Sequence, residues 1–337
     1  MSKNALGERF SGMPQVHRLP AASPGRQGCV YSQSVSAQPE THESEWTLAR
    51  LLSWTADYLS RHGVEESRLA SEVLLAHTLA RPRIDLYTRF DLVPSGETLA
   101  RFRALVKRAA THEPIAYLVG EREFFSLAFT VTRDVLIPRP ETETLVEVAL
   151  DHCRSAGLAS PRVLDVGTGS GCIAIAILKQ LAGAVAVATD NSAAALKVAA
   201  GNAERHGVAD RFRVVEADGL ALPAEVVPAG GFDLMVCNPP YISADQIDGL
   251  DAAVREFEPR SALTDGGDGL SFYRSIGVDA PPLVGLDGVI IVEVADGQGQ
   301  SVVETMCGQG VWAPHGSRRD RVVGAERVLV FSRPQAP

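Results

Sequence analysis

The sequence predicts an α/β fold with a doubly wound, mostly parallel sheet, preceded by a small helical domain. From residue 162 onward, short β-branched runs alternate with helical stretches, and a glycine-rich turn joins the first of these runs to its helix. Residues 46 to about 112, in contrast, carry only helical periodicity. Strands separated by helices pair in parallel through right-handed crossovers, so the alternating half forms a single sheet covered on both faces. It contains no internal repeat.

Composition bounds the function. A chain of 337 residues suggests about two domains, and 45% hydrophobic with 22% charged residues allows a sizeable core. Collagenous, wholly disordered and disulfide-rich classes are excluded. Thirty-two Lys and Arg against 41 Asp and Glu leave a net charge of −9, which argues against holding long nucleic acid by phosphate neutralisation. Cys29, Cys153, Cys172, Cys237 and Cys307 are scattered and form no CxxC pair, so neither a metal site nor a disulfide framework is expected and a reducing, cytoplasmic setting is. No apolar run approaches the ~20 residues that span a bilayer, and no membrane association is expected.

Taken in order, residues 1–45 draw 19 positions from Gly, Pro, Ser and Gln and show neither helical nor strand period, the pattern of a disordered extension. A transit peptide is the alternative, although Glu8, Glu40, Glu43 and Glu45 depart from its acid-poor composition; a secretion signal would need an apolar core this stretch lacks. Leu48, Leu51, Leu52, Ala56 and Leu59 then share a helical face, with Gly63 placed to stop the helix. A second helix carries Leu69, Val73, Leu74 and Leu79. A third starts after Ser95 as N-cap and carries Leu99, Phe102, Leu105, Val106 and Ala109. This stretch has 10 basic and 7 acidic side chains; an ordinary solvated face explains that, and contact with an RNA-bound partner is the alternative. Phe125, Leu127, Phe129 and Val131 alternate as a strand or hairpin, and Pro138 and Pro140 force an extended bend before a helix near Glu141. Strands are expected at 162–166, 185–189, 212–216, 234–237, 289–294 and 327–331.

The first strand runs into Gly167-Thr168-Gly169-Ser170-Gly171, where glycines let the backbone approach a ligand at the carboxyl edge of the sheet. The spacing is Gly-x-Gly-x-Gly, not the Gly-x-Gly-x-x-Gly of dinucleotide folds, which disfavours a nicotinamide oxidoreductase. Asp190 ends the second strand, where a carboxylate accepts hydrogen bonds from ribose hydroxyls; Asp218 ends the third, placed for an adenine amino group. The fourth strand ends in Asn238-Pro239-Pro240-Tyr241. Its prolines remove two backbone donors and fix the chain's direction, so the Asn238 amide and the carbonyl before Pro240 face one small ligand. Those two oxygens suit a planar NH2 group, and Tyr241 offers a ring to lie against it.

At this point the chain resembles class I S-adenosylmethionine-dependent methyltransferases that act on planar amino nitrogens, and more narrowly the PrmC (HemK) family. The resemblance spans about Trp46 to Arg333. Besides the loops above, it rests on Ala116-Tyr117-Leu118, Gly120, Glu123-Phe124-Phe125, Ile137-Pro138-Arg139-Pro140-Glu141-Thr142-Glu143 and Phe257-Glu258-Pro259. It implies a seven-stranded sheet, a substrate-recognition domain over 46–115, a hairpin linker over 116–140 and a methyltransferase domain over 141–337. It also implies S-adenosyl-L-methionine as cofactor and, as substrate, the glutamine of the Gly-Gly-Gln motif in peptide chain release factors. Gly167 to Gly171 would then wrap the methionine part, Asp190 would hold the ribose, and Asp218 with Gly219 would flank the adenine. Phe124 and Glu143 would line the cofactor and substrate pocket, with Asn238, Pro239, Pro240 and Tyr241 as the catalytic loop. Three rival functions share parts of this pattern: methylation of a ribosomal-protein glutamine, methylation of adenine N6 in a flipped base, and a non-catalytic cofactor-binding scaffold.

Overall fold

The computed structural model describes residues 45–321 and 324–334; the extension expected over residues 1–44 lies outside the described residues. The chain divides into two compact units, one ending at Lys107 and the other beginning at Arg108.

The first unit is helical. Helix α1 (Leu48–Arg61) is capped by Thr47, whose hydroxyl accepts the Arg50 amide at 3.4 Å. Helices α2 (Ser67–Leu79), α3 (Ile84–Thr88) and α4 (Gly96–Ala109) follow, and α4 runs on into the second unit. Ser95 caps α4 by accepting the Thr98 amide at 3.2 Å. Leu48, Leu51, Leu59, Leu74, Leu75, Leu86 and Phe102 are fully buried. The face of α2 that packs inward carries Ala70, Leu74 and Leu75, whereas Leu69 is exposed. The buried Glu72 carboxylate orders the turn after α2: it accepts from Arg83 at 2.6 Å, from Arg68 at 3.3 Å and from the Tyr87 hydroxyl.

The second unit opens with α5 (Ile115–Val119) and an antiparallel hairpin of β1 (Glu121–Phe124) and β2 (Leu127–Thr130). A short 3-10 turn over Pro140–Thr142 leads into α6 (Glu143–Ser155). The alternating half then supplies β3 (Arg162–Val166), α7 (Cys172–Gln180), β4 (Val185–Asp190), α8 (Ala193–Arg205), β5 (Phe212–Glu216), β6 (Phe232–Cys237), α9 (Ala252–Phe257), α10 (Ser271–Asp279), β7 (Val284–Glu293), α11 (Gly299–Cys307), β8 (Ala313–Arg319) and β9 (Glu326–Ser332). The sheet has seven strands in the order β5-β4-β3-β6-β7-β9-β8, parallel except where β9 pairs antiparallel with β7 and β8. The expected strands are all present, and the sequence reading missed only β8 of the sheet.

Central parallel strands are covered on both faces and are therefore apolar throughout. Val163, Leu234, Val236 and Ile291 pack one face against Leu145, Ile173, Ile177 and Ala199 of α6, α7 and α8. Leu164, Met235, Ile290 and Val292 pack the other against Tyr273, Ile276, Val302 and Met306 of α10 and α11. Register is what places the functional loops. Val166 pairs with Thr189 and Cys237, and Cys237 with Val292. The next residue on each strand, Gly167, Asp190, Asn238 and Glu293, therefore reaches the same carboxyl edge.

Asn202 on α8 ties the hairpin to this edge. Fully buried, it accepts the Thr130 amide at 2.8 Å and donates to the carbonyls of Thr130 at 3.0 Å and Ser170 at 2.9 Å. Asn202→Ala strands three backbone groups and is expected to lower stability by about 2–5 kcal/mol in urea unfolding. A loss under about 0.5 kcal/mol would show that water or rearrangement replaces the bridge.

Candidate active site

Loops from the carboxyl edge enclose a cavity of about 290 Å3 whose wall includes Val166 to Ser170, Thr189 to Ser192, Ala217, Gly219, Asn238 to Pro240, Thr142, Arg139 and Phe272. The glycine loop is shaped by its backbone. Gly167 and Gly169 have φ of +69° and +56°, the left-handed region that glycine enters without strain, and no atom lies within 4 Å of where a Cβ would stand. That open space is the cradle of the cavity. Gly171, at φ +81°, has a second reason: a Cβ there would meet Ile175 Cδ1 at 2.8 Å and Ala199 Cβ at 3.3 Å, so its absence lets α7 and α8 close together.

Two carboxylates hold this loop. Asp165, with no exposed surface, accepts the Thr168 hydroxyl at 2.8 Å and the Ala174 amide at 3.3 Å through Oδ2. Its Oδ1 has no hydrogen-bond partner among the described residues, and burial pushes its pKa up to about 6. Asp190 accepts the Gly169 amide through Oδ2 and the Ser192 amide through Oδ1, both at 3.0 Å. It lines the cavity, and its remaining lone pairs are placed for a ligand hydroxyl.

Asn238 is half-buried at the end of β6, and its Nδ2 donates to Thr142 Oγ1 at 3.2 Å. With the NH2 turned toward Thr142, Oδ1 is the atom left for a ligand. Pro239 and Pro240 continue the wall. The Tyr241 ring packs in the apolar cluster under α10, and its hydroxyl donates to Glu293 Oε1 at 3.3 Å. Burial and the neighbouring Glu293 push the Tyr241 phenol well above its ordinary range. Across the cavity, Glu258 accepts the Ile137 amide at 3.2 Å and Arg139 Nη2 at 2.5 Å, fixing the segment before the Pro140–Thr142 turn.

Most of the residues expected from the sequence thus converge on one cavity: Gly167, Thr168, Gly169, Ser170, Asp190, Gly219, Asn238, Pro239 and Pro240. Asp218, Gly171 and Tyr241 do not: Asp218 is exposed and borders a neighbouring groove with Phe272 and Ser275, Gly171 lies where α7 and α8 meet, and the Tyr241 ring, expected to lie against the substrate amide, packs in the apolar cluster instead. Phe124 is 1% exposed and packs edge-on to Phe129 in the core, not on the cavity wall. Glu143, also off that wall, accepts the Phe125 amide at 2.8 Å and secures the hairpin turn, where Phe125 and Ser126 adopt positive φ. Sequence reasoning missed three polar side chains: Asp165, Thr142 and Glu293. Asp165 and Glu293 are lone polar residues within buried stretches, Glu293 most clearly as the only charge in Val289–Val294, whereas Thr142 lies in the polar run Glu141–Thr144 and nothing in its neighbours singles it out.

Comparison with known proteins identifies the family. The PrmC N-terminal domain model matches residues 50–120 and the methyltransferase small domain model matches residues 142–269. A release factor glutamine methyltransferase from Geobacter sulfurreducens is 44% identical over 258 residues, covering 77% of this chain and 87% of the relative. The chain belongs to the PrmC (HemK) family, the release factor glutamine methyltransferases. Members from Rhodopirellula baltica, 43% identical over 76% of this chain and 86% of the relative, and from Nitratidesulfovibrio vulgaris, 39% identical over 86% and 96%, carry the same name. S-adenosyl-L-methionine is the cofactor of such methyltransferases, and the open glycine cradle with the Asp190 carboxylate beside it fits that molecule.

Asp165 makes stability depend on pH. Its folded-state pKa of about 6 exceeds the ordinary 3.8, so the folded state binds more protons between these values, and stability from this group falls as pH rises through them. Asp165→Asn removes that penalty. The melting temperature of the variant relative to wild type should therefore climb across this pH range, and a flat difference would mean that Asp165 is not the titrating group.

Proposed function

We propose that this chain transfers a methyl group from S-adenosyl-L-methionine to the side-chain amide nitrogen N5 of the glutamine in the Gly-Gly-Gln motif of peptide chain release factors. The observation that carries this reading is the Asn238–Thr142 hydrogen bond, which turns Asn238 Oδ1 to a cavity continuous with the glycine loop. Names borne by relatives of 39–44% identity support the substrate. Release factors act on cytoplasmic ribosomes, so a cytoplasmic site of action belongs to the same reading, with the methyltransferase contacting protein and not nucleic acid.

Gly167 to Ser170, Asp190 and Gly219 would hold the cofactor, which supplies a methyl group on a positively charged sulfur. An amide nitrogen is a poor nucleophile because its lone pair is delocalised into the carbonyl. Asn238 Oδ1 and the Pro239 carbonyl each accept one N–H of the glutamine amide, which raises electron density on nitrogen and fixes its direction. Alignment of this kind recovers ~7–11 kcal/mol relative to free encounter. Pro239 and Pro240 keep the loop rigid, and the half-buried Tyr241 anchors its far end on Glu293. Asn238 has no basic atom, so it positions the amide and stabilises charge while the amide proton leaves during or after transfer.

Labelled methyl transfer to a purified release factor tests the assignment, with a Gly-Gly-Ala variant and duplex DNA in parallel. Label on the Gly-Gly-Gln protein alone is expected; label on DNA would overturn the substrate. Asn238→Ala is expected to lower kcat by about 100-fold or more while leaving the Kd for S-adenosyl-L-homocysteine nearly unchanged. An equal loss in both would remove Asn238 from the reacting centre.

A further inference from the structure

Behind the amide-binding loop lies a buried carboxyl that the steps above use only as an anchor. Glu293, one residue past the Val292–Cys237 pair, is 1% exposed. Its Oε1 accepts from Tyr241, and its Oε2 has no hydrogen bond among the described residues. The Thr142 hydroxyl neighbours this carboxyl and favours its charged form, with no hydrogen bond joining the two side chains in this structure. Thr142 is itself 2% exposed, and one lone pair of its oxygen is already taken by Asn238 Nδ2. A hydroxyl has one hydrogen to give, and the carboxylate is the acceptor beside it.

We propose that Glu293 and Thr142 are the positioning residues of the catalytic amide: the carboxylate takes the Thr142 hydrogen, the hydroxyl oxygen thereby accepts from Asn238 Nδ2, and Asn238 Oδ1 is left facing the substrate. This rests on the glutamine-amide reading of the cavity. The direction of the chain depends on the charge of Glu293. A protonated Glu293 donates to Thr142, whose hydrogen then points at Asn238 and favours the rotated amide, with NH2 toward the substrate. Burial pushes the Glu293 pKa up to about 7. The groups facing it are Arg327 on β9, which favours the charged form, Glu141, which opposes it, Tyr241, Tyr273 on α10, Cys237 on β6 and Cys172 on α7. Tyr273 donates to the Glu293 backbone carbonyl at 2.7 Å, and Arg327 also lies 3.6 Å from Asp320. The tyrosine and cysteine groups are all held above their ordinary ranges, so Glu293 is the one that changes charge near neutrality.

Two measurements test this on the full chain. The side-chain amide of Asn238, followed by NMR in protein labelled with 15N-asparagine and assigned by its loss in Asn238→Asp, should shift with pH around a midpoint near 7. Glu293→Gln and Thr142→Val should each abolish the shift. This readout needs no substrate, so it stands or falls apart from the identity of the methylated protein. In methyl transfer to the Gly-Gly-Gln protein, both variants should lose about 100-fold in kcat with the Kd for S-adenosyl-L-homocysteine retained, and wild-type kcat should decline as pH drops through the same midpoint. Thr142→Ser, which keeps the hydroxyl, should recover most of the rate lost in Thr142→Val and serves as the decisive pair if Glu293→Gln does not fold. A pH-independent Asn238 amide in wild type, a shift that persists in Glu293→Gln, or equal rates for the Ser and Val variants at position 142 would overturn the proposal.

Discussion

The site depends on strand register. Because Val166, Thr189, Cys237 and Val292 lie in one row across four parallel strands, the chain leaves β3, β4, β6 and β7 at a common edge. A slip of one residue on any strand would exchange its two faces and withdraw its loop from that edge. The apolar row beneath thus does two jobs: it forms the core and it sets where Gly167, Asp190, Asn238 and Glu293 emerge.

A second layer of order comes from polar groups buried just behind the edge. Asp165 fastens the glycine loop through Thr168 and Ala174, and Glu293 stands behind the proline-rich loop beside Thr142 and Tyr241. Both carboxyls are fully buried and both are held at higher pKa than in water, so each lies close to a change of charge near neutral pH. They differ in what they govern. Asp165 supports backbone shape in the cofactor half, whereas Glu293 faces the group that orients the amide.

Much of this was legible from residue order alone. The strand cores were readable because parallel strands are continuous apolar runs, and the ligand edge followed from glycine spacing and from prolines at the end of β6. Strand β8 was not readable: Ala313–Arg319 contains Pro314 and Gly316 and is mostly exposed, as suits a sheet edge. Helices α3 and α5 are five residues each, too short to show a period. Asp218 is expected on the cavity from strand order and Phe124 from the family resemblance, yet one sits in a neighbouring groove and the other in the core. Thr142 and Glu293 could not have been joined to Asn238 and Tyr241 from sequence, since the bonds that connect them span 96 and 52 residues. Their adjacency is a product of the tertiary fold.

The most direct measurement is a crystal structure of the protein with S-adenosyl-L-homocysteine and a Gly-Gly-Gln peptide. The expected result places the glutamine amide nitrogen within about 3.2 Å of both Asn238 Oδ1 and the Pro239 carbonyl, with Asn238 Nδ2 on Thr142. A glutamine bound elsewhere, or an Asn238 amide rotated so that Nδ2 faces the substrate, would contradict it.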